Sequence, residues 1–222
     1  VEPLRVEIRA GVYELDEPLL LSTEDSGASA PTGRWNVSTG PSRCVTYAAY
    51  RDEEPVVSAG RRITGFTETE LDHATVWKAD IPEVAAGDWF FTQLWVNGRR
   101  ALRPRLPKEG MFTIEEPLGE VVTEGDVHAQ LFTGQDRFRY REGDLDEWRN
   151  IGDVEFVGLH YWIESRINFT SVDTTTRTAH LARKSKMRLT DNFETAGAPY
   201  YVENVFEAFE EPGTWYLDRP TG

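Results

Sequence analysis

The sequence has one cysteine and no long apolar run. Cys44 stands alone, so the chain can form no intrachain disulfide and no cysteine-based metal site. It lies in the apolar stretch 44–49, where a buried, inert thiol is expected. The apolar runs, such as residues 18–21, are far too short to cross a bilayer. We therefore expect no membrane partner.

Basic residues are scarce as well. The chain has 24 lysine and arginine residues against 38 aspartate and glutamate residues, which gives a formal net charge of −14. This balance argues against a nucleic-acid partner, because binding to phosphates requires a basic surface. The same balance disfavours polyanionic substrates. A local cluster could still serve one, and its members are Arg99, Arg100, Arg103 and Arg105.

Signatures of cofactor and metal sites are missing. The histidines are scattered without the spacing of metal ligands, and they are His73, His128, His160 and His180. Ser26 is not flanked by the glycines of a nucleophile elbow. There is no phosphate loop, dinucleotide fingerprint or calcium-binding loop. We therefore expect no cofactor and no metal site in this chain.

Short runs that alternate apolar and polar residues fill much of the sequence. Leu4, Val6 and Ile8 form one such run near the start, and Ile167 and Phe169 belong to another. Alternation with period two, interrupted by Gly, Pro, Asp and Ser, is typical of β-strands. The pattern predicts an all-β protein.

Two local elements are predicted more closely. Asn97 and Gly98 both tolerate positive φ, so residues 93–102 should form a hairpin with a two-residue turn. Residues 201–209 place apolar side chains at helical spacing, which predicts a short helix that ends before Pro212. The chain is divided near residue 70, with solenoid-like short strands before it and a hairpin-rich, aromatic stretch after it.

Three blocks of the sequence resemble the N-terminal region of large right-handed β-helix proteins, in particular glycoside hydrolase family 141. Their order and spacing across nearly the whole chain carry the resemblance. The blocks are Ile8-Arg9-Ala10-Gly11-Val12-Tyr13 with 19–21, 25–27 and 45–47; Gln93-Leu94-Trp95-Val96-Asn97-Gly98-Arg99-Arg100-Ala101 with 103–107; and Tyr200-Tyr201-Val202-Glu203-Asn204 with Glu207 and 212–218.

The resemblance implies a fold and a division of the chain. Residues 1–70 would form the first coils of a right-handed parallel β-helix of the pectin-lyase-like kind. Residues 71–212 would form an inserted antiparallel β-domain, and residues 213–222 a return strand toward the β-helix. The family continues into many further coils, so the chain is expected to be an N-terminal fragment of a longer protein.

The resemblance also implies a function. The parent would be a secreted bacterial glycoside hydrolase that degrades polysaccharide, with fucose- or xylose-containing glycans as the expected substrates. Its location would be extracellular or periplasmic, with a leader preceding the fragment. The family's catalytic acids lie on later coils, so no catalytic role is transferred to this chain. Thr214 and Glu211 depart from the usual Glu and Asp of the third block.

Hydrolysis of a glycosidic bond needs two carboxyl groups, about 5–5.5 Å apart for retention or roughly 6.5–9.5 Å for inversion. Neighbouring coils of a β-helix can supply such a pair, because they stack about 4.8 Å apart. The contiguous acidic pairs of this chain would point to opposite faces of a strand. Solvated turns are therefore the favoured interpretation of these pairs, which are Glu53-Glu54, Glu115-Glu116 and Glu210-Glu211.

One polar and aromatic cluster is the candidate substrate-binding site: His160, Trp162, Glu164 and Arg166. Alternation would place the first three side chains on one strand face. They could then flank a sugar that stacks on Trp162 at the edge of a cleft. The favoured alternative is structural, with Trp162 packing the insert and Arg166 bonded to the backbone. Near the third block two structural roles stay open: Asn204 could cap a helix turn, or Glu203 could pair with an arginine of the 99–105 cluster.

Three functions remain open. The first is a glycoside hydrolase whose acid pair lies outside the fragment, so that the fragment alone is inactive. The second is a polysaccharide lyase on the same fold, which would need a base and a group that neutralises a carboxylate. The third is a non-catalytic module that binds glycan or mediates adhesion. In each case the partner is a polysaccharide or oligosaccharide.

Overall fold

The computed structural model describes residues 4–22, 25, 45–71, 74–120, 122, 124–190 and 197–222. Cys44, Ser26 and His73 lie outside these residues. The chain divides into two units, Val1–Phe66 and Thr67–Gly222. The sequence had placed its division near residue 70.

The first unit contains four short strands that pair in parallel. They are β1 (Arg5–Ile8), β2 (Gly11–Glu14), β3 (Thr46–Ala49) and β4 (Pro55–Ser58). β1 pairs with β3, and β2 pairs with β4. The first two strands thus pair, in chain order, with the third and the fourth. Their alternating and β-branched residues suit this extended conformation.

Large apolar side chains stay exposed in the first unit. Val12, Tyr13, Val56 and Val57 are each more than 40% exposed. All the buried hydrophobic residues among those described belong to the second unit. Two parallel pairs with no buried core of their own do not establish a parallel β-helix, and the remaining ladders are mostly antiparallel. The chain is therefore mostly β, while the β-helix stays a hypothesis.

The second unit combines an eight-stranded sheet with two separate hairpins. The elements are β5 (Thr67–Leu71), β6 (Ala74–Lys78), α1 (Pro82–Ala85), β7 (Leu94–Val96), β8 (Arg99–Ala101), β9 (Arg105–Leu106), β10 (Phe112–Thr113), β11 (Glu116–Leu118), α2 (Val127–Phe132), β12 (Arg137–Arg139), a 3₁₀ turn (Ile151–Asp153), β13 (Glu155–His160), β14 (Ile163–Asp173), β15 (Thr178–Leu181), β16 (Pro199–Glu203) and a 3₁₀ turn (Phe206–Ala208). The sheet order is β10-β16-β13-β14-β15-β12-β11, β9 pairs with β16, and all of its ladders are antiparallel. The hairpins are β5–β6 and β7–β8.

Aromatic side chains build the main core on the inner face of this sheet. Phe138, Phe156 and Tyr200 are fully buried, and their ring centroids lie 5.1–5.6 Å apart. Gly158 faces the ring of Phe156, which occupies the space that a side chain at 158 would need. Offset and edge-on contacts at these distances add to the burial of apolar area. The core therefore fixes the register of β13 and β16, which carry the candidate site.

A smaller core joins the C-terminal residues to the start of the second unit. Trp215, Leu217 and Val84 are buried together, and the ring of Phe91 stacks on Trp215 at 5.3 Å. Leu102 forms an isolated parallel bridge with Thr214. The C-terminal stretch thus has one bridge residue and no longer strand, whereas a return strand was predicted for 213–222.

The turn at Asn97 and Gly98 confirms the predicted hairpin. Both residues have positive φ, 50° and 75°, as a type I′ turn requires. The helix predicted for 201–209 is wrong. β16 continues to Glu203, Asn204 adopts a left-handed φ of 63°, and a 3₁₀ turn follows. Pairing of β16 with β13 outweighs the weak helical pattern, as tertiary context commonly does.

Candidate functional site

The candidate cluster surrounds the hairpin between β13 and β14. Tyr161 and Trp162 form its two-residue turn, and Tyr161 has a φ of 56°. Trp162 is therefore a turn residue, and it is 64% exposed. Across the turn, Leu159 pairs with Glu164 and His160 pairs with Ile163. His160 and Glu164 thus lie on opposite faces of the sheet, and the predicted common face is wrong.

His160 lies inside the protein. It is 1% exposed, and its Nε2 lies 2.7 Å from Oγ of Ser165, which is also buried. Burial lowers the pKa of His160 below its ordinary value, so the ring is neutral near pH 7. The side chain braces the hairpin and does not reach the solvent where a glycan would bind.

Arg166 is the centre of a charged network on the outer face of the sheet. Its guanidinium donates to Glu164 at 2.6 Å, to Glu203 at 2.9 Å and to Glu155 at 3.0 Å. It also donates to the hydroxyl of Tyr201 at 3.1 Å. Burial alone lowers the pKa of Arg166, but the hydrogen bonds to Glu203 and Glu164 outweigh it and raise the pKa above its ordinary value.

The register of the sheet explains why Arg166 can reach so many partners. Val157 stands between Tyr201 on one side and Arg166 on the other. Val157 is completely buried although it belongs to the outer face. Long arginine side chains commonly cover apolar neighbours with their stems. The predicted alternative, in which the Arg166 side chain bonds to the backbone, is replaced by bonds to carboxylates and a phenol.

Two more arginines complete this network. Arg103 donates to Glu155 at 2.9 Å and lies 3.6 Å from Glu203, which is the pairing expected for Glu203. The guanidinium of Arg105 lies 4.1 Å from the ring centroid of Tyr201, within cation–π range. We call this set the outer-face network; its members are Arg103, Arg105, Glu155, Glu164, Arg166, Tyr201 and Glu203.

The structure separates the arginine cluster predicted from residues 99–105. Arg99 and Arg100 are exposed on the β7–β8 hairpin. Arg103 and Arg105 are instead committed to glutamates and to Tyr201. These four arginines therefore do not form one anion site.

The outer-face network carries equal numbers of arginine and glutamate charges, and so it has no net formal charge. Its exposed edge presents Glu164 and Arg166 near the turn that exposes Trp162. An exposed aromatic ring on the turn, with fixed donors and acceptors on the strand that follows, can bind neutral, hydroxyl-rich ligands. Sequence reasoning found these residues, but it missed Tyr201, Glu155 and the bridging role of Arg103.

At least one member of each contiguous acidic pair is bound to a basic side chain. Glu53 accepts from Arg9 at 2.9 Å and from the backbone of Ala10 at 2.6 Å. Glu115 and Glu116 lie within 3.2 Å of Arg177 and Arg139, respectively, and the pair at 210–211 lies within 3.8 Å of Lys108. Each pair therefore stabilises a turn or strand edge and does not face a shared ligand.

Three other carboxylates, which sequence reasoning missed, are partly buried and bonded to other side chains. Asp144 accepts from the hydroxyl of Tyr200 at 3.1 Å, and burial raises the pKa of Asp144. Burial also raises the pKa of Asp153, which lies 2.8 Å from Arg219. Asp218 pairs with Arg149. No local pattern marks these residues, because their partners come from distant parts of the chain.

One shallow groove does contain two acids. It lies beside Tyr140, has a volume of about 350 Å³, and is lined in part by Glu142 and Asp146. Both acidic residues are exposed. A glycosidase needs a general acid whose environment keeps it protonated, usually by partial burial. Because both acids are exposed, the groove does not provide the environment that a general acid requires.

No three His, Cys, Asp or Glu side chains within the described ranges are grouped so as to hold a metal ion. No helix in the same ranges is long and apolar enough to cross a membrane.

Comparisons with known proteins place this fold in a class. No family model matches the chain, and no curated protein matches it. A solved structure titled "Glycoside hydrolase" is similar over 99% of the chain, with a TM-score of 0.60 and 22% sequence identity. The chain is mostly β, and the likeness shows that it shares its fold with part of that protein. The chain spans 35% of that protein's length.

Proposed function

We propose that the chain is the N-terminal part of a glycoside hydrolase that acts on polysaccharide. The observation that carries this proposal is the structural likeness to a glycoside hydrolase over nearly the whole chain. The resemblance of three sequence blocks to glycoside hydrolase family 141 supports the same class. Fucose- or xylose-containing glycans are the proposed substrates, and the proposed location is extracellular or periplasmic.

The finer fold that we propose is a right-handed parallel β-helix with an antiparallel insert. The pairing of β1 with β3 and of β2 with β4 supports it, because successive coils of a solenoid pair in this order. The exposed apolar residues of the first unit also agree with it, since each coil of a solenoid buries its apolar face against its neighbours. The eight-stranded antiparallel sheet corresponds to the insert.

We propose that the acid pair lies in the part of the enzyme that this chain does not span. Three partly buried carboxylates in the described residues are already engaged by an arginine or a tyrosine, and they are Asp153, Glu155 and Asp144. The structural neighbour is almost three times as long as the aligned chain. Its extra length leaves room for coils that present stacked acids.

The proposed role of the β13–β14 hairpin is to contact glycan. Trp162 supplies an exposed aromatic surface, and Glu164 and Arg166 supply fixed polar groups on the strand that follows it. Aromatic stacking and directed hydrogen bonds are the usual means of holding a sugar. His160 supports the turn from inside through Ser165.

The test compares the 222-residue chain with the full product of its gene. Both are incubated with neutral and uronate-containing polysaccharides, and released reducing ends are measured. We expect release by the full product alone. Ultraviolet absorbance of an unsaturated product would instead indicate a lyase. Glycan retention without release by either protein would indicate the non-catalytic module, and hydrolysis would then be refuted.

A further inference from the structure

Two stretches of chain run side by side at the end of α2 and form an open groove of about 460 Å³. The backbone of Ser185 donates to the carbonyl of Gln135 at 2.9 Å, and Gln135 donates back to Oγ of Ser185 at 3.2 Å. Gly134 lies so close to the carbonyl of Ser185 that a side chain there would collide with it. We call this the basic groove; it is lined by Phe132, Gly134, Arg183, Lys184, Ser185 and Lys186.

The basic groove concentrates positive charge in an acidic protein. Arg183, Lys184 and Lys186 are exposed, and none forms an ion pair with a carboxylate that the structure describes. The other lysines, Lys78 and Lys108, each pair with an acid at 3.0 Å or less. Three cations within four residues thus have no acidic partner among the described residues, in a chain of net charge −14.

The groove also has a fixed geometry and an aromatic wall. Arg183 donates through Nη2 to the carbonyl of Arg166 at 2.9 Å, which orients its guanidinium and leaves other N–H groups available. The ring of Phe132 lies 4.4 Å from the ring of His128, and Nζ of Lys186 lies 5.7 Å from the Phe132 centroid. Cationic groups that can bind an anion thus lie near an aromatic side chain that can contact a sugar ring.

We propose that the basic groove binds an anionic saccharide unit, one that carries a carboxylate or a sulfate ester. Its volume falls in the range of small-ligand sites, roughly 300–1,000 Å³. The screening length at physiological salt is about 8 Å, so local cations govern the potential there more than the distant acids do. The prediction that an anion binds depends only on the groove, whereas the prediction that the ligand is a saccharide rests on the proposed function.

The experiment measures binding of an oligogalacturonate and of a neutral xylo-oligosaccharide of equal length by calorimetry at physiological ionic strength, about 0.15 M. The test variant is Lys184→Gln with Lys186→Gln. The matched control is Arg99→Gln with Arg100→Gln, which removes the same charge from an exposed hairpin. We expect affinity for the oligogalacturonate to fall at least about tenfold in the test variant and less than about twofold in the control. Lys184→Arg with Lys186→Arg should retain binding.

Two further comparisons distinguish the ways in which the proposal could fail. Phe132→Leu should weaken oligogalacturonate binding and leave binding of inorganic sulfate unchanged; equal effects on both would overturn the saccharide assignment. Equal losses in the two charge variants, or no binding of the oligogalacturonate, would overturn the basic groove as a site. Binding of the neutral oligosaccharide in that case would leave the proposed function standing. Thermal melts of each variant establish that it is folded.

Discussion

Replacing Trp162 by alanine should abolish glycan retention while it changes stability only modestly. Trp162 is 64% exposed, so about a third of its surface, about 90 Å² of roughly 250 Å², contacts protein. At about 25 cal/mol per Å² this contact is worth about 2 kcal/mol. Compactness of the unfolded chain reduces the value to about 1.5 kcal/mol. The melting temperature should then fall by about 3–6 °C.

The assay is retention on immobilised polysaccharide, with Trp77→Ala as the matched control. Trp77 is 68% exposed and lies on β6, in a two-stranded hairpin that is not part of the eight-stranded sheet. An aromatic anchor contributes about 2 kcal/mol or more to binding, so its loss should weaken affinity about 30-fold. Unchanged retention, or an equal loss in Trp77→Ala, would refute the glycan contact. A stability loss of about 3–5 kcal/mol would identify Trp162 as a core residue.

Three further predictions concern the sheet that carries the site. Phe156→Ala should cost about 3–5 kcal/mol in urea unfolding, because Phe156 is fully buried; a loss under about 1 kcal/mol would contradict the described core. Arg166→Met should destabilise by about 1–2 kcal/mol at neutral pH, because neighbouring glutamates lose their shared counter-charge while partial exposure limits the cost. A loss under about 0.5 kcal/mol, typical of a surface substitution without partners, would argue against the charge network. Asp144→Asn should make the free energy of unfolding depend less on pH. Burial raises the pKa of Asp144, so its contribution to wild-type stability is fully present below the ordinary aspartate pKa of about 4. That contribution is lost as the pH rises through the raised pKa. Identical pH profiles would contradict the buried carboxylate.

Local patterns predicted the strands and the hairpin turn of this chain. The turn at Asn97 and Gly98 depends only on the φ preferences of its two residues, and it is found where the sequence indicates. Alternation likewise locates β13 and β14. It fails across Tyr161 and Trp162, because a two-residue turn resets which face each side chain takes. A period counted along one strand cannot anticipate such a reset.

The pairing between strands that are distant in the chain could not be predicted from the sequence. The stretch 201–209 has helical spacing, but β16 gains a full ladder with β13 and so remains extended to Glu203. Val157 belongs to the outer face and is nevertheless buried beneath partners from β14 and β16. The outer-face network includes the bond between Arg103 and Glu155, which are 52 positions apart. Such contacts follow from sheet order, which no local pattern encodes.

The most direct measurement incubates the 222-residue chain with a panel of polysaccharides and quantifies both retention and reducing ends. The account predicts retention that depends on Trp162, with no release of sugar. Release that disappears in Glu142→Gln or Asp146→Asn would contradict it, because a working acid pair would then lie in the groove beside Tyr140.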